Sequence, residues 1–213
     1  MNLVWIALAW ICYGVIHSLL ASTTCKNWVA HRWPDAVPAY RLGFNIFAVI
    51  ALLPVLWLMY GTTSDWLWCW TGPWAWLANG LALAALAGTA VAGRAYDTQE
   101  FFGLRQIRQG DHGTEDRQGF GISALHRHVR HPWYFLSLVL IWTRDMNAPF
   151  LVSALVITLY FVIGSRLEEN KLVALHGDAY REYRRRVPGL LPLPWKRLSV
   201  AEADALMQGA RHG

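Results

Sequence analysis

Charge is scarce in this chain. Only 15% of its 213 residues are Asp, Glu, Lys or Arg, against about 25% in an ordinary soluble domain. Cysteine is scarce too: Cys12 lies in an apolar stretch, Cys25 in a basic link and Cys69 in a Trp-rich link. No CxxC pair occurs, so neither a disulfide framework nor a zinc knuckle is suggested. Internal repeats and low-complexity linkers are missing, so the chain is neither a solenoid nor a string of tethered modules.

What is abundant is apolar sequence, 55% of the residues, and it falls in blocks. The blocks run 3–20, 42–59, 74–92, 133–142 and 149–164. Crossing about 30 Å of hydrocarbon takes about 20 apolar residues, and the first three blocks are close to that length. The fourth is short; it either extends backwards through 128–132 or dips as one arm of a hairpin with the fifth. Many of the 13 Trp flank the blocks, as at a membrane–water interface. The first block lacks a basic leader and has a long apolar run, so it reads as a span rather than a cleaved signal peptide. The fold expected is all-α and polytopic, with about five transmembrane helices.

Lys and Arg alternate between the links. The link after block one holds Lys26, Arg32 and Arg41, and the link after block two holds neither type. The link after block three holds Arg94, Arg105, Arg108, Arg117, Arg127 and Arg130. The hairpin between blocks four and five has only Arg144, and the tail is rich again. With five crossings every rich link falls on one side, so the N-terminus is expected outside and the C-terminus in the cytosol of a bacterial inner membrane. The formal net charge of +5 is then a topology signal and a match to membrane lipid, not a nucleic-acid footprint. The polar stretch 106–119 reads as a cytosolic loop, and residues from about Ser199 as a helical or frayed tail.

Three cytosol-side segments carry candidate chemistry. In Arg127-His128-Val129-Arg130-His131-Pro132-Trp133-Tyr134, Pro132 suits a first helical turn. The free N–H groups of such a turn favour an anion, and Arg130 can grip a carboxylate with two bonds. Glu168-Glu169 follow block five, where carboxylates close to a bilayer usually have a partner or a function; Arg130 or a cationic ligand would serve. In the third segment Gly177 marks a helix stop, Tyr180 and Tyr183 share a face of the next short helix, and an apolar Pro-rich strip from Val187 to Trp195 follows. Read blandly, these are a lipid-anchoring basic flank, solvated charges and an interfacial helix. Together they join an anion site, carboxylates and aromatic faces. S-adenosylmethionine needs such a set for its carboxylate, its amine and ribose, and its sulfonium and adenine; a nucleotide would need a similar one.

The run Arg130-His131-Pro132-x-Tyr134, an apolar hairpin, Glu168-Glu169-x-x-Leu172, Gly177, Tyr180, Tyr183, Val187-Pro188 and Pro192 resembles the C-terminal core of the isoprenylcysteine carboxyl methyltransferase and phospholipid methyltransferase superfamily. The match covers about 65 residues in order and spacing. These are integral membrane enzymes that use S-adenosylmethionine. The resemblance implies that Arg130, His131, Pro132, Tyr134, Glu168 and Glu169 line the cofactor site, with Tyr180, Tyr183 and the Pro-rich strip closing over it. Where the family often has Gly, two residues after the motif Tyr, this chain has Leu136. Phe102-Gly103-Leu104-Arg105-Gln106 also resembles a segment of the methanethiol S-methyltransferase branch, although Asp97-Thr98-Gln99-Glu100 stands where that branch tends to have His-Phe-Asp.

Residues 1–93 are thus expected to form the first three spans and 94–213 a methyltransferase core. The acceptor, lipophilic or a small thiol, carboxyl or amine compound, is expected near Arg94, Asp97, Glu100 and Arg105. An Arg would position a carboxylate, and Asp97, Glu100 or a His would remove a proton from a thiol or amine. The rival readings are a non-enzymatic membrane accessory protein and a metalloenzyme built on His126, His128, His131, Glu168 and Glu169.

Overall fold

A computed structural model of the chain describes residues 3–94, 97–111, 113 and 120–212. Its helices in chain order are α1 (Leu3–Ala21), α2 (Thr23–Arg32), α3 (Val37–Gly61), α4 (Gly72–Gly93), α5 (Thr98–Phe102), α6 (Leu104–Gln109), α7 (Pro132–Trp142), α8 (Ala148–Arg186) and α9 (Val200–His212). Two short strands, β1 (Trp66–Trp68) and β2 (Met146–Asn147), interrupt the series. The protein is therefore essentially all-α. Part of the polar loop expected over 106–119, including His112, Arg117 and Gly119, lies outside the described residues.

Proline sets several helix starts. α3, α4 and α7 each carry one in the first turn, where its missing N–H leaves no bond unmade. Among the described residues four helical segments are long and apolar enough to cross a membrane: α1, the stretch Pro34–Gly61 that contains α3, α4, and α8. Large apolar side chains stay exposed along them, among them Trp57, Leu83 and Leu159, as expected where lipid is the solvent. The short block four does not extend backwards. Residues 124–128 form turns and the helix begins at Pro132. Eleven residues give a rise of about 16 Å, roughly half of the hydrocarbon thickness.

The chain divides into two compact units. The first comprises Met1–Cys69, Tyr96–Arg117 and Asp145–Ile157. Here α1 packs on α3, and both α5 and α6 pack on α3. The Tyr40 hydroxyl donates to the Leu20 carbonyl at 2.6 Å, which ties the start of α3 to the end of α1. Gly103 joins α5 to α6 at φ +83°, a conformation L side chains rarely adopt. A Cβ there would also stand 2.6 Å from the Leu42 backbone nitrogen. β1 pairs antiparallel with β2, Trp66 opposite Asn147 and Trp68 opposite Met146, so the link after α3 lies beside the link after α7.

The second unit comprises Trp70–Ala95, Gln118–Arg144 and Thr158–Gly213. α4 presents a buried stripe of Ala78, Ala82, Ala85 and Ala92, small side chains that let helices approach closely, and it packs on α7. The Trp142 indole N–H donates to the Thr158 hydroxyl at 3.1 Å. Past the apolar part of α8, Gly177 departs from helical geometry at φ +53° and kinks the helix. The segment after the kink buries Tyr180, Tyr183 and Val187 with Ile122, Leu198 and Ala203. The tail from Ser199 is helical. A reciprocal capping box starts it: Ser199 N–H donates to Glu202 Oε2 at 2.8 Å, and Glu202 N–H donates to Ser199 Oγ at 3.3 Å.

Candidate active site

Arg130 and Glu169 form the centre of a buried polar cluster in the second unit. Arg130 Nε and Nη2 both donate to Glu169 Oε1, at 2.9 and 2.7 Å. Arg130 Nη1 donates to the Arg184 carbonyl at 2.8 Å and to the Val187 carbonyl. The backbone joins in: Arg130 N–H donates to the Pro188 carbonyl at 2.9 Å and His131 N–H to the Gly189 carbonyl at 3.1 Å. Leu198 N–H closes the far end on the Arg127 carbonyl at 3.0 Å. The Pro-rich strap after α8 is thus tied to the start of α7. Gly189 fits closely here: a Cβ would stand 3.3 Å from Arg130 Nη2 and 3.6 Å from Glu169 Oε1.

His131 lies between the two carboxylates. Its Nε2 is 3.0 Å from Glu169 Oε1 and its Nδ1 is 3.5 Å from Glu168 Oε2. Burial opposes charging the ring, but hydrogen bonds and charge from Glu168 and Glu169 prevail and hold its pKa above the ordinary value. The ring stacks on Tyr134, with centroids 5.3 Å apart, and Tyr134 stacks on Phe161 at 4.6 Å. The spacings explain the stack: Tyr134 is three residues past the His131 cap, and Phe161 is two helical turns before Glu168 on one face of α8. Tyr134 Oη donates to Glu168 Oε2 at 3.4 Å.

The two carboxylates therefore differ. Glu169 is 9% exposed in its side chain and is matched by Arg130. Glu168 is 49% exposed, and its contacts to His131 and Tyr134 are long. A carboxylate beside stacked aromatic rings, half open to solvent, is a donor set suited to a cation and to hydroxyl or ammonium donors.

Of the residues expected at a cofactor site, Arg130, His131, Pro132, Tyr134, Glu168 and Glu169 come together. Arg130 spends its fork inside the protein, on Glu169 and the strap. Tyr180 and Tyr183 pack edge-to-face on Phe120 and on each other, and the Tyr183 hydroxyl donates to the His126 carbonyl at 2.7 Å. They form the hydrophobic floor under the strap. Phe161, Gly189 and the carbonyls of Arg184, Val187 and Pro188 were not singled out from sequence. Phe161 carried a readable signal in its spacing from Glu168, whereas main-chain acceptors carry none.

The acceptor-side candidates fall in different units. Arg94 is exposed at the end of α4 in the second unit. In the first unit Asp97 caps α5, accepting from Gln99 N–H at 2.9 Å and Glu100 N–H at 3.3 Å, and pairs with Arg105 at 2.9 Å. The bond from the Glu100 N–H, the bond from Gln99 and Arg105 outweigh burial and keep the Asp97 pKa low. Asp97 is thus a weak base. Glu100 Oε2 is 3.7 Å from Arg105. His126 Nδ1 lies 2.7 Å from Ser123 Oγ and His128 Nδ1 lies 3.1 Å from the Ala124 carbonyl. Among the described residues no group of three His, Cys, Asp or Glu side chains is placed to hold a metal ion.

No family model matches the chain, and no solved structure does. Curated relatives do. Methanethiol S-methyltransferase 2 of Bradyrhizobium diazoefficiens is 33% identical over 186 residues, covering 84% of this chain and 69% of that protein. The methanethiol S-methyltransferase of Mycobacterium tuberculosis is 33% identical over 189 residues, 85% of this chain and 75% of the relative. That of Crocosphaera subtropica is 31% identical over 196 residues, 87% and 72%. With likeness of this extent joined to membrane-length helices, the chain belongs to the methanethiol S-methyltransferase family of integral membrane methyltransferases, relatives of the isoprenylcysteine carboxyl methyltransferases.

Proposed function

We propose that the protein transfers a methyl group from S-adenosylmethionine to a small thiol, and that residues 94–213 form its methyltransferase core. The observation that carries the reading is the pairing of a spent carboxylate with an available one. Glu169 is neutralised by Arg130, while Glu168 faces solvent beside the His131–Tyr134–Phe161 stack. When bound, S-adenosylmethionine supplies an electrophilic methyl group on a cationic sulfur.

Glu168 would hold the amine or ribose hydroxyls of that group, and the Tyr134 and Phe161 rings would face its cationic and aromatic parts. Arg130 and Glu169 act as positioning residues that fix the strap over the site. His131, braced by both carboxylates, orients Glu168. Within the first unit the Asp97–Arg105 pair fixes the α5–α6 turn, and Glu100 supplies a carboxylate of the kind that can take a proton from a small thiol. Arg94, at the end of α4 in the second unit, is the remaining acceptor-side candidate. Catalysis is then chiefly alignment and exclusion of water.

The site faces the cytosol and the N-terminus lies outside, in a bacterial inner membrane. The alternation of Lys and Arg supports this orientation, as does the pairing of β1 with β2, which puts the two arginine-poor links side by side.

The test is calorimetric titration of the detergent-purified protein with S-adenosylhomocysteine, with headspace chromatography of dimethyl sulfide from methanethiol. Binding that Glu168→Gln weakens about tenfold, with dimethyl sulfide formed, supports the proposal. Folded protein that does not bind overturns the cofactor assignment. Binding without thiol methylation overturns the acceptor.

A further inference from the structure

The strap after α8 carries an apolar turn that stands open. Leu191 is 63% exposed and Trp195 is 76% exposed. Trp195 is thus as open as Trp57 on the membrane-length helix α3, at 77%. The aromatic face just before the strap is different. Tyr180 and Tyr183 are buried in the floor, so that helical segment has no aromatic surface left to offer a membrane.

The turn is stiff and its depth is fixed. Pro192 and Pro194 each lock one backbone dihedral, and Lys196 N–H closes the turn on the Leu193 carbonyl at 3.0 Å. A preorganised turn loses little freedom when it meets a surface. Both of its ends are tied to the segment that leads into α7. The Gly189 carbonyl accepts from His131 N–H, and Leu198 N–H donates to the Arg127 carbonyl. His131 directly precedes Pro132, where the apolar helix α7 begins. Two residues of chain reach at most about 7 Å, so Leu191 stands near the level at which α7 enters hydrocarbon.

The charges agree with that placement. Arg185 and Arg186, at the end of α8, pair with Glu182, and Arg186 also meets Glu202. Lys196 and Arg197 directly follow Trp195 and are exposed. Among the described residues neither of them makes an ion pair. Trp favours the headgroup level of a bilayer, and each cation close to an anionic surface adds to the attraction. An apolar turn followed by two open cations, held at the depth where a helix enters lipid, fits a membrane surface better than a soluble partner.

We propose that the turn 191–197 seats in the headgroup layer of an anionic membrane. Leu191 and Trp195 sink among the glycerol and upper acyl groups, and Lys196 and Arg197 lie on lipid phosphates. The strap is then held at its ends by the protein and at its turn by lipid. The inference rests on the membrane placement of α7 and not on the identity of the methyl donor or acceptor.

The whole protein in lipid nanodiscs tests this. A phospholipid with a diazirine near its glycerol serves as the photocrosslinking probe, mapped by peptide mass spectrometry, with peptides of α4 as the positive control. The expected result is crosslinking within 191–197 that drops several-fold in Trp195→Ser. Amide exchange over the same residues should slow about tenfold when phosphatidylglycerol is added to phosphatidylcholine discs. The double variant Lys196→Gln, Arg197→Gln should lose that slowing and keep the crosslink. Monodisperse protein that crosslinks on α4 but not within 191–197 overturns the membrane contact. Exchange that ignores phosphatidylglycerol, or slowing that survives the double variant, overturns the role of the two cations.

Discussion

Leu136 fills the space that Gly88 leaves on α4. A Cβ at Gly88 would stand 2.9 Å from Leu136 Cδ2 and 3.3 Å from Cδ1, and Leu136 is buried. The Leu that replaces a family Gly on α7 is thus met by a Gly on the facing helix. Gly88→Ala should destabilise the protein by about 1 kcal/mol through overpacking, and the loss should vanish in a Leu136→Ala background. A double-mutant cycle of unfolding in detergent reads that coupling; additive losses would mean the two residues do not share the space.

Glu169→Gln should unfold more easily than any substitution at Glu168. Removing the charge leaves Arg130, with a side chain 10% exposed, buried without its counter-ion, a loss of about 3–5 kcal/mol. The strap should also loosen, because Arg130 holds the Arg184 and Val187 carbonyls. Amide exchange over 187–198 should quicken in Glu169→Gln and stay slow in Glu168→Gln. Equal exchange in both variants would show that Arg130 does not hold the strap.

His131 makes stability depend on pH. Its folded pKa lies above the unfolded value of about 6.5, because Glu168 and Glu169 favour the charged ring against the opposing effect of burial. Its stabilising contribution is therefore complete below about pH 6.5 and is lost as pH rises through the elevated folded value. His126 acts oppositely. Burial, then the charge of His131, lower its pKa despite the opposing pull of Glu168, so its contribution fades as pH falls below about 6.5. Thermal unfolding against pH should lose its alkaline decline in His131→Asn and its acid decline in His126→Asn.

Gly103→Ala should be among the costliest single-methyl additions. The new Cβ meets backbone at 2.6 Å and the residue sits at positive φ, so neither a rotamer change nor a small shift relieves it. A loss above about 2 kcal/mol is expected, read as a fall in the melting temperature of the detergent-solubilised protein. A neutral result would mean that the α5–α6 turn does not pack on α3 as described.

The spans were legible because a hydrophobic run of membrane length has few other readings, and blocks one, two, three and five became α1, α3, α4 and α8. α7 was harder: ten apolar residues fit either a half-span or part of a longer helix, and only the turns before Pro132 decide. At the site it was the resemblance to the membrane methyltransferase core that grouped Arg130, His131, Tyr134, Glu168 and Glu169. Their division of labour was not legible, because Glu168 and Glu169 differ only in which side of α8 each faces. The stretch from Ser199 was expected only as a helical or frayed tail; the capping box that starts its helix is seen in the structure. The carbonyls that hold Arg130 could not be read, since every residue has one.

The apolar stretch of α8 also works as a ruler. Glu168 lies about twenty residues past Ala148, a rise of about 30 Å, which is about one hydrocarbon thickness. The carboxylates therefore stand about one hydrocarbon thickness along α8 from its start. The length of one helix thus matches the reach needed to carry a charge cluster from one face of the hydrocarbon to the other.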